Sequence, residues 1–472
     1  MKKKLIHNII YQGLYQLTLI ILPIITIPIV SHALGAEGLG IYNYVSSIVS
    51  YFILFAGLGL ANYGIREIAI VKDNKYKLSM KFWELEIFNI EIISIILLLY
   101  FIFLLFVGNK LFFLISSFSL LATLFDISWF YYGIEDFKSI SIINFIIKIL
   151  SFICILLFVK DINDLWLYFG IQSMSVFLSN LSLWIFMRNK ILWIKPDLKR
   201  INRHFKPASR YFIGKISLTL YTNMNKTLLG LMVSSVAVGL YSNSLQLITI
   251  FVTLIGTLDT VLMPHMTKLF SDNNHSKMID TMEKSLDLQF FLSIPLMFGI
   301  VLVNNKMIPW FFGSDFELLN VTVPILAPLV VIMPLGISIV RQYLIPKNKI
   351  KEFNISVIVA AIISILLNVI LLPIIGMYGA IIATFVSECL VTIIRLYDLK
   401  KNTTFRFSFK KILIYITSSI VMYIVVYVIT KDMNANIITT IIQGVFGMII
   451  YFIVTMLFKE NVFMKFMRTE RK

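Results

Sequence analysis

The chain has 472 residues, 58% of them hydrophobic and 14% charged, with a mean hydropathy of +0.88. Soluble domains run at roughly 45–50% apolar and about 25% charged, so this composition excludes a water-soluble globule. A formal net charge of +17 would suit nucleic acid, but its distribution along the chain argues against that role.

In lipid the unit to count is the apolar run of about 20 residues, which crosses a hydrocarbon layer about 30 Å thick. Met1-Lys2-Lys3-Lys4 precedes a run that continues too far, with no small-residue cleavage site, for a removed signal peptide. It is expected to remain as a first membrane helix. Apolar runs follow at about 9–31, 41–65, 83–107, 111–132, 140–159, 165–187 and 211–232. The remainder lie at about 239–262, 287–303, 319–340, 353–373, 378–395, 412–430 and 437–458. They are too long and continuous for barrel strands, and lipid demands that backbone groups be satisfied within each segment. The expected fold is all-α, a polytopic membrane protein of about fourteen transmembrane helices.

Charge orients the bundle. With the N-terminus inside, alternate connections hold 35 of the 42 Lys and Arg residues, and the opposite set only Lys110, Lys160, Lys306 and Lys431. This positive-inside asymmetry predicts an even helix number and two cytoplasmic termini. It also favours anionic lipid headgroups. The opposite loops are short and leave no room for an outer domain. The basic connection 188–210 divides six helices (1–187) from six more (211–400), and 401–472 adds a final helix pair and tail. Gly38-Leu39-Gly40-Ile41-Tyr42-Asn43 is echoed by Val238-Gly239-Leu240-Tyr241-Ser242-Asn243 at the matching place in the second half. The echo predicts a duplicated six-helix unit, with its copies parallel.

Polar residues inside lipid are costly, so their positions carry information. Tyr211, Lys215, Thr219, Thr222 and Lys226 share one face of the seventh helix, over about 22 Å. Lys215 could snorkel to the inner surface, whereas Lys226 lies deeper. The eighth helix carries Ser242, Gln246, Thr249, Thr253, Thr257 and Thr260, the first Asn8, Gln12, Gln16 and Thr26, and the second Asn43, Ser47 and Ser50. Two readings stand: a polar path lined by helices one, two, seven and eight, or hydroxyls bonded back to their own helices. Substrate-binding candidates are Lys215, Lys226, Thr219, Thr222, Gln246, Gln12, Gln16 and Asn43. Asp126, Lys148, Asp259 and Glu388 are isolated intramembrane ions that either pair with another helix or carry ion coupling. Glu84, Glu86 and Glu91 are placed in the first turns of the third helix, where the dipole favours anions. Pro23 and Pro28 interrupt the first helix as a hinge or a fixed bend. Cys154 and Cys389 read as packing residues, and the five histidines lack ligand spacing, so neither metal nor cofactor is expected.

The motifs then carry a resemblance. Leu22-Pro23 and Thr26-Ile27-Pro28 are followed by Leu34-Gly35-Ala36-Glu37-Gly38-Leu39-Gly40-Ile41-Tyr42 and Gly64-Ile65-Arg66-Glu67-Ile68-Ala69. Asp126-Ile127-Ser128-Trp129-Phe130-Tyr131-Tyr132-Gly133, Pro264, Phe312-Gly313-Ser314-Asp315-Phe316 and Gln342-Tyr343-Leu344-Ile345-Pro346 complete the series. In this order the chain resembles the Wzx (RfbX) type polysaccharide-export flippases of the multidrug/oligosaccharidyl-lipid/polysaccharide transporter superfamily. The resemblance implies two six-helix lobes, a bacterial plasma-membrane location, and transfer of an undecaprenyl-pyrophosphate-linked oligosaccharide between leaflets for surface polysaccharide assembly. A polysaccharide polymerase would be an accompanying partner. Relatives often carry Arg where this chain has His32, so a cationic role there would become pH-dependent or be lost. With Asp126, Asp259, Glu388 and Arg66, His32 completes the candidates for ion coupling or gating.

The residues also leave competitors. A drug or cation exporter of the same fold should have acidic residues along its path, where this chain has lysines. A polymerase or membrane glycosyltransferase needs a long outer loop or an acidic motif in the first outer loop, where His32 to Gly40 offers only Glu37. The sequence reading is therefore a transporter rather than an enzyme.

Overall fold

The computed structural model describes residues 2–196, 198–458 and 460, without side chains at 2–17, 19, 20, 198–200, 210, 211, 213, 214, 217 and 218. All regular structure among the described residues is helical. Twelve described segments are long and apolar enough to cross a membrane. One of these, 21–71, contains two crossings, because helix α1 (Lys2–Gly57) breaks at Gly35, with φ 62° and ψ −175°. Only glycine adopts such a conformation without a Cβ penalty, so the expected first turn narrows to one residue. Helix α8 (Phe205–Met232) adds a further 28-residue helix, beyond the span of about 20 that lipid requires. The fourteen expected crossings are present. Leu98, Leu105 and Phe106 on the third crossing, like Ile424 and Val428 on the thirteenth, are exposed. Lipid, not water, is the solvent that tolerates such surfaces.

The chain divides into two compact units, Met1–Thr227 and Leu228–Lys472. In the first unit, α1 is followed at Leu58 and Gly59, both with positive φ, by the separate helix α2 (Leu60–Val71). The second crossing therefore ends at Gly57 rather than near residue 65. Helix α3 (Lys75–Phe106) starts where Asn74 caps the Lys77 amide at 3.0 Å. It begins eight residues before its apolar run, so Glu84, Glu86 and Glu91 are not in its first turns and the dipole does not explain them. The fourth crossing is broken into α4 (Lys110–Leu121), a 3-10 turn (Ala122–Phe125) and α5 (Ser128–Gly133). A break in lipid frees backbone carbonyls that need partners. Helix α7 supplies them: Asn180 donates to Ala122 O at 2.9 Å and Trp184 to Phe125 O at 3.0 Å. Helices α6 (Phe137–Phe158) and α7 (Leu165–Met187) complete this unit with the start of α8. Its core gathers Phe82, Trp129, Phe130, Tyr131 and Leu183.

The second unit contains α9 (Ser235–Ser271), α10 (His275–Phe311), α11 (Leu319–Leu326) and α12 (Leu329–Ile339). A π turn, Val340–Leu344, ends the tenth crossing before α13 (Ile350–Ile375) and α14 (Met377–Asn402). The terminal pair, α15 (Phe409–Thr430) and α16 (Ile437–Leu457), packs on α10. Tyr451 Oη donates to Phe291 O at 2.9 Å, Trp310 Nε1 to Thr440 at 3.0 Å, and Lys411 pairs with Asp287 at 2.6 Å.

The two stretches of the internal echo lie in different units, and each is bonded locally. Asn43 donates to Leu39 O and Asn243 to Gly239 O, each over four residues at 2.8 Å. Tyr42 lies edge-on to Tyr168 and Phe169 of α7, the sixth crossing. Tyr241 bonds Thr384 of α14, the twelfth, at 2.7 Å. Tyr42 and Tyr241, 199 residues apart, are in register in the echo, whereas Asn43 and Asn243 are 200 apart and Asn43 aligns with Ser242, so the two asparagine bonds are not one repeated position.

Candidate functional site

Within the first unit, α8 runs antiparallel to the part of α1 that follows Gly35. Asn43, Ser47 and Tyr51 recur every four residues and so share one helical face. Lys226 Nζ donates to Asn43 Oδ1 at 3.3 Å. Thr227 Oγ1 lies 2.8 Å from Ser47 Oγ and 3.1 Å from Tyr51 Oη, and Phe212 meets Phe55 further along. At the far end Lys215 Nζ approaches Gly57. One seam therefore carries two ammonium groups, an amide and several hydroxyls along a membrane-crossing helix pair. Lys226 is half-buried and Lys215 exposed, and neither makes an ion pair among the described residues. Among the described residues Lys226 bonds a neutral oxygen near the long end of hydrogen-bond range, which leaves most of its donor capacity for an anion.

Of the other predicted residues, Thr219 and Thr222 lie on the same helix, with Thr222 Oγ1 donating to Thr219 O at 3.2 Å. Gln246 is half-buried on α9, where Thr249, Thr253, Thr257 and Thr260 all donate to carbonyls of their own helix. The side chains of Gln12, Gln16 and Asn8 lie outside the described residues. Asp126 sits at the break of the fourth crossing, where its Oδ1 accepts from Ser128 N at 3.0 Å and holds the start of α5. His32 is exposed and bonds Pro28 O at 2.8 Å; Arg66 is exposed on α2. Glu388 is half-buried on α14.

Asp259 has the densest surroundings. It is 2% exposed on α9, and its Oδ1 lies 2.7 Å from Ser338 Oγ and accepts from Gln342 Nε2 at 2.6 Å. Sequence reasoning found this carboxyl but not its partners, because Gln289, Ser338 and Gln342 come from crossings distant in sequence. It assigned Glu86 to a helix N-terminus, whereas Glu86 is fully buried with neither carboxyl oxygen hydrogen-bonded among the described residues.

The basic connection is docked on α3. Glu84 bonds Arg203 at 3.0 Å, with Lys81 at 3.4 Å and His204 Nε2 at 3.4 Å. Tyr63 Oη lies 2.8 Å from His204 Nδ1, and Trp83 Nε1 donates to Leu192 O at 3.0 Å. Burial, aided by the Lys81 charge, holds the His204 pKa below the usual imidazole value, against the pull of Glu84. Lys190 pairs with Asp136 before α6. Burial there works against the carboxylate, but the Lys190 and Ser139 hydrogen bonds outweigh it and keep the Asp136 pKa low.

Comparisons with known proteins address the fold and the family. A solved structure of the lipid II flippase MurJ in an inward closed conformation superposes with a TM-score of 0.74 at 17% identity, over 95% of this chain and 98% of that one. A multidrug resistance MATE family transporter of the MOP superfamily, inward-facing, gives 0.62 at 14% identity over 84% of this chain and 100% of that one. At these identities they establish the fold alone. Among sequence relatives, a protein of Escherichia coli strain K12 named "Putative O-antigen transporter" is 24% identical over 409 residues, 85% of this chain and 98% of the relative. One of Haloferax volcanii named "Probable low-salt glycan biosynthesis flippase" is 23% identical over 278 residues, 58% of this chain and 59% of the relative. The sequence profile described as "Polysaccharide biosynthesis protein" matches residues 5–270, more than half of the chain. The chain belongs to the polysaccharide biosynthesis protein family.

Proposed function

We propose that this protein is a flippase that moves a polyprenyl-pyrophosphate-linked oligosaccharide across the plasma membrane by alternating access, for surface polysaccharide assembly. The observation that carries the proposal is the Lys226 seam, a cation lodged among amide and hydroxyl groups on a membrane-crossing helix pair. A pyrophosphate needs cationic, multiply donating partners, and sugars need small groups that both donate and accept. Lys226 and Lys215 meet the first need, and Asn43, Ser47, Tyr51, Thr219, Thr222 and Thr227 the second. The family and the named O-antigen transporter and glycan flippase support the same substrate class.

Translocation requires no bond to be made or broken, so the protein acts as a transporter. The energetic problem is the headgroup: bare charge in hydrocarbon costs many kcal/mol, whereas the polyprenyl tail is already at home in lipid. The protein has only to offer the head a polar surface that opens first to one face of the membrane and then to the other. In this reading the basic connections and both termini face the cytoplasm of a bacterial cell, where the substrate is assembled, and a polysaccharide polymerase receives it on the far side. The neighbouring exporter fold does not favour drug cations here, because the seam presents ammonium groups rather than carboxylates. Deleting the gene tests the proposal in the cell. Lipid-linked repeat units are expected to accumulate on the inner leaflet while surface polymer is lost; normal surface polymer in the deletion strain would overturn it.

A further inference from the structure

The second unit holds a buried polar cluster that the flippase reading does not use. Ser338 Oγ lies 2.7 Å from Asp259 Oδ1 and 2.8 Å from Gln289 Oε1. A hydroxyl has one proton to give, so only one of these two oxygen–oxygen contacts can be a hydrogen bond supplied by the serine. Gln342 cannot resolve the shortage. Its Oε1 accepts from Ser285 at 2.8 Å, which turns its Nε2 towards Asp259 Oδ1 at 2.6 Å. A proton on Asp259 resolves it: the carboxyl donates to Ser338, and Ser338 donates to Gln289. Among the described residues the remaining Asp259 Oδ2 is buried without a hydrogen-bond partner, as is Gln289 Nε2. An ionised carboxylate would leave that oxygen charged, desolvated and unbonded.

We infer that Asp259, Ser338, Gln289 and Gln342 form a proton-binding site, occupied in this conformation by a proton on the Asp259 carboxyl. The site is placed to report its occupancy. Gln342 and Arg341 belong to the π turn Val340–Leu344, an element that recurs at functional sites. Arg341 is the charged group that faces the cluster; it donates to Gly256 O at 3.0 Å and Thr260 Oγ1 at 2.5 Å, either side of Asp259 on α9. Loss of the proton creates a carboxylate one turn from that guanidinium, so protonation biases how the π turn sits against α9. Coupling of this event to transport rests on the flippase reading; the existence of the site does not.

Infrared difference spectroscopy of the purified full-length protein in lipid nanodiscs, titrated with acid and base, tests the site without any transport measurement. The expected result is a protonated-carboxyl band that fades as pH rises and is missing in Asp259→Asn. The Gln289→Met variant provides a second reading that does not depend on the aspartate variant folding. Removing the competing acceptor frees the Ser338 proton for the carboxylate, so proton binding should weaken by about tenfold or more, the worth of one hydrogen bond to a charged group. An unchanged or stronger band in Gln289→Met would mean that Gln289 presents its N–H to Ser338, and would overturn the inference. A carboxylate signal that persists through the titration and responds to sodium ions would overturn it in favour of a metal-ion site.

Discussion

Replacing Lys226 by methionine separates its binding role from its structural one. The side chains are similar in length, so packing changes little. Among the described residues Lys226 donates to Asn43 Oδ1 at 3.3 Å, just beyond the usual range for N–H···O bonds. Its loss should cost no more than about 0.5–1 kcal/mol. A charge-assisted contact to a substrate phosphate is worth about 1.5–3 kcal/mol, which corresponds to a roughly ten- to hundredfold loss of transport. Lys226→Glu should lose more, since it sets a carboxylate against the pyrophosphate. The assay is translocation of a lipid-linked oligosaccharide in proteoliposomes, run beside a thermal unfolding curve of the same preparation. Transport falling while the unfolding temperature holds is the expected outcome. Wild-type transport by Lys226→Met would refute the reasoning, as would a transport loss matched by a collapse in stability.

Three further outcomes follow from the packing. In Gly133→Ala the new Cβ would lie 2.6 Å from Ile68 Cγ2 and 2.7 Å from Ile68 Cβ, so α5 must move off α2; thermal unfolding should register a loss of about 1–3 kcal/mol, and an unchanged curve would contradict the contact. His204 has a folded pKa below its unfolded value of about 6.5, so its contribution to docking of the basic connection is present above that pH. It is lost as pH falls from there towards the folded pKa, because the unfolded form binds the proton first. Protease cleavage near Arg203 should therefore rise on acidification, and His204→Gln should flatten that pH dependence. Asp287→Asn removes the partner of Lys411 at 2.6 Å and weakens the Tyr415 bond at 2.9 Å; a loss of about 1.5–3 kcal/mol should appear as a lower unfolding temperature, and none would mean that α15 is held by apolar contacts alone.

The crossings were legible because a lipid environment enforces them through composition: each apolar run became helical, though several are interrupted. What the sequence hid were the interruptions. The break at Asp126 falls inside a continuous apolar run, and only the Asn180 and Trp184 donors from α7 make it tolerable. The start of α3 was misplaced because Lys75, Lys77 and Lys81 look like a loop by charge, although Asn74 caps a helix there. Glu84 owes its place to Arg203, 119 residues away, a pairing that no local pattern announces. At the sites, Lys226 and Asp259 stood out as ions in lipid. Their meaning depends on Asn43 in one case and on Ser338, Gln289 and Gln342 in the other, which come from different crossings and were visible only once the chain had folded.

The most direct test of the central claim is substrate choice in a purified system. The full-length protein, reconstituted in liposomes, is offered either a polyprenyl-pyrophosphate-linked oligosaccharide or a lipophilic drug cation. Appearance of the oligosaccharide in the opposite leaflet, with the cation left where it was added, is the result this account expects. Movement of the cation with the oligosaccharide left in place would contradict it.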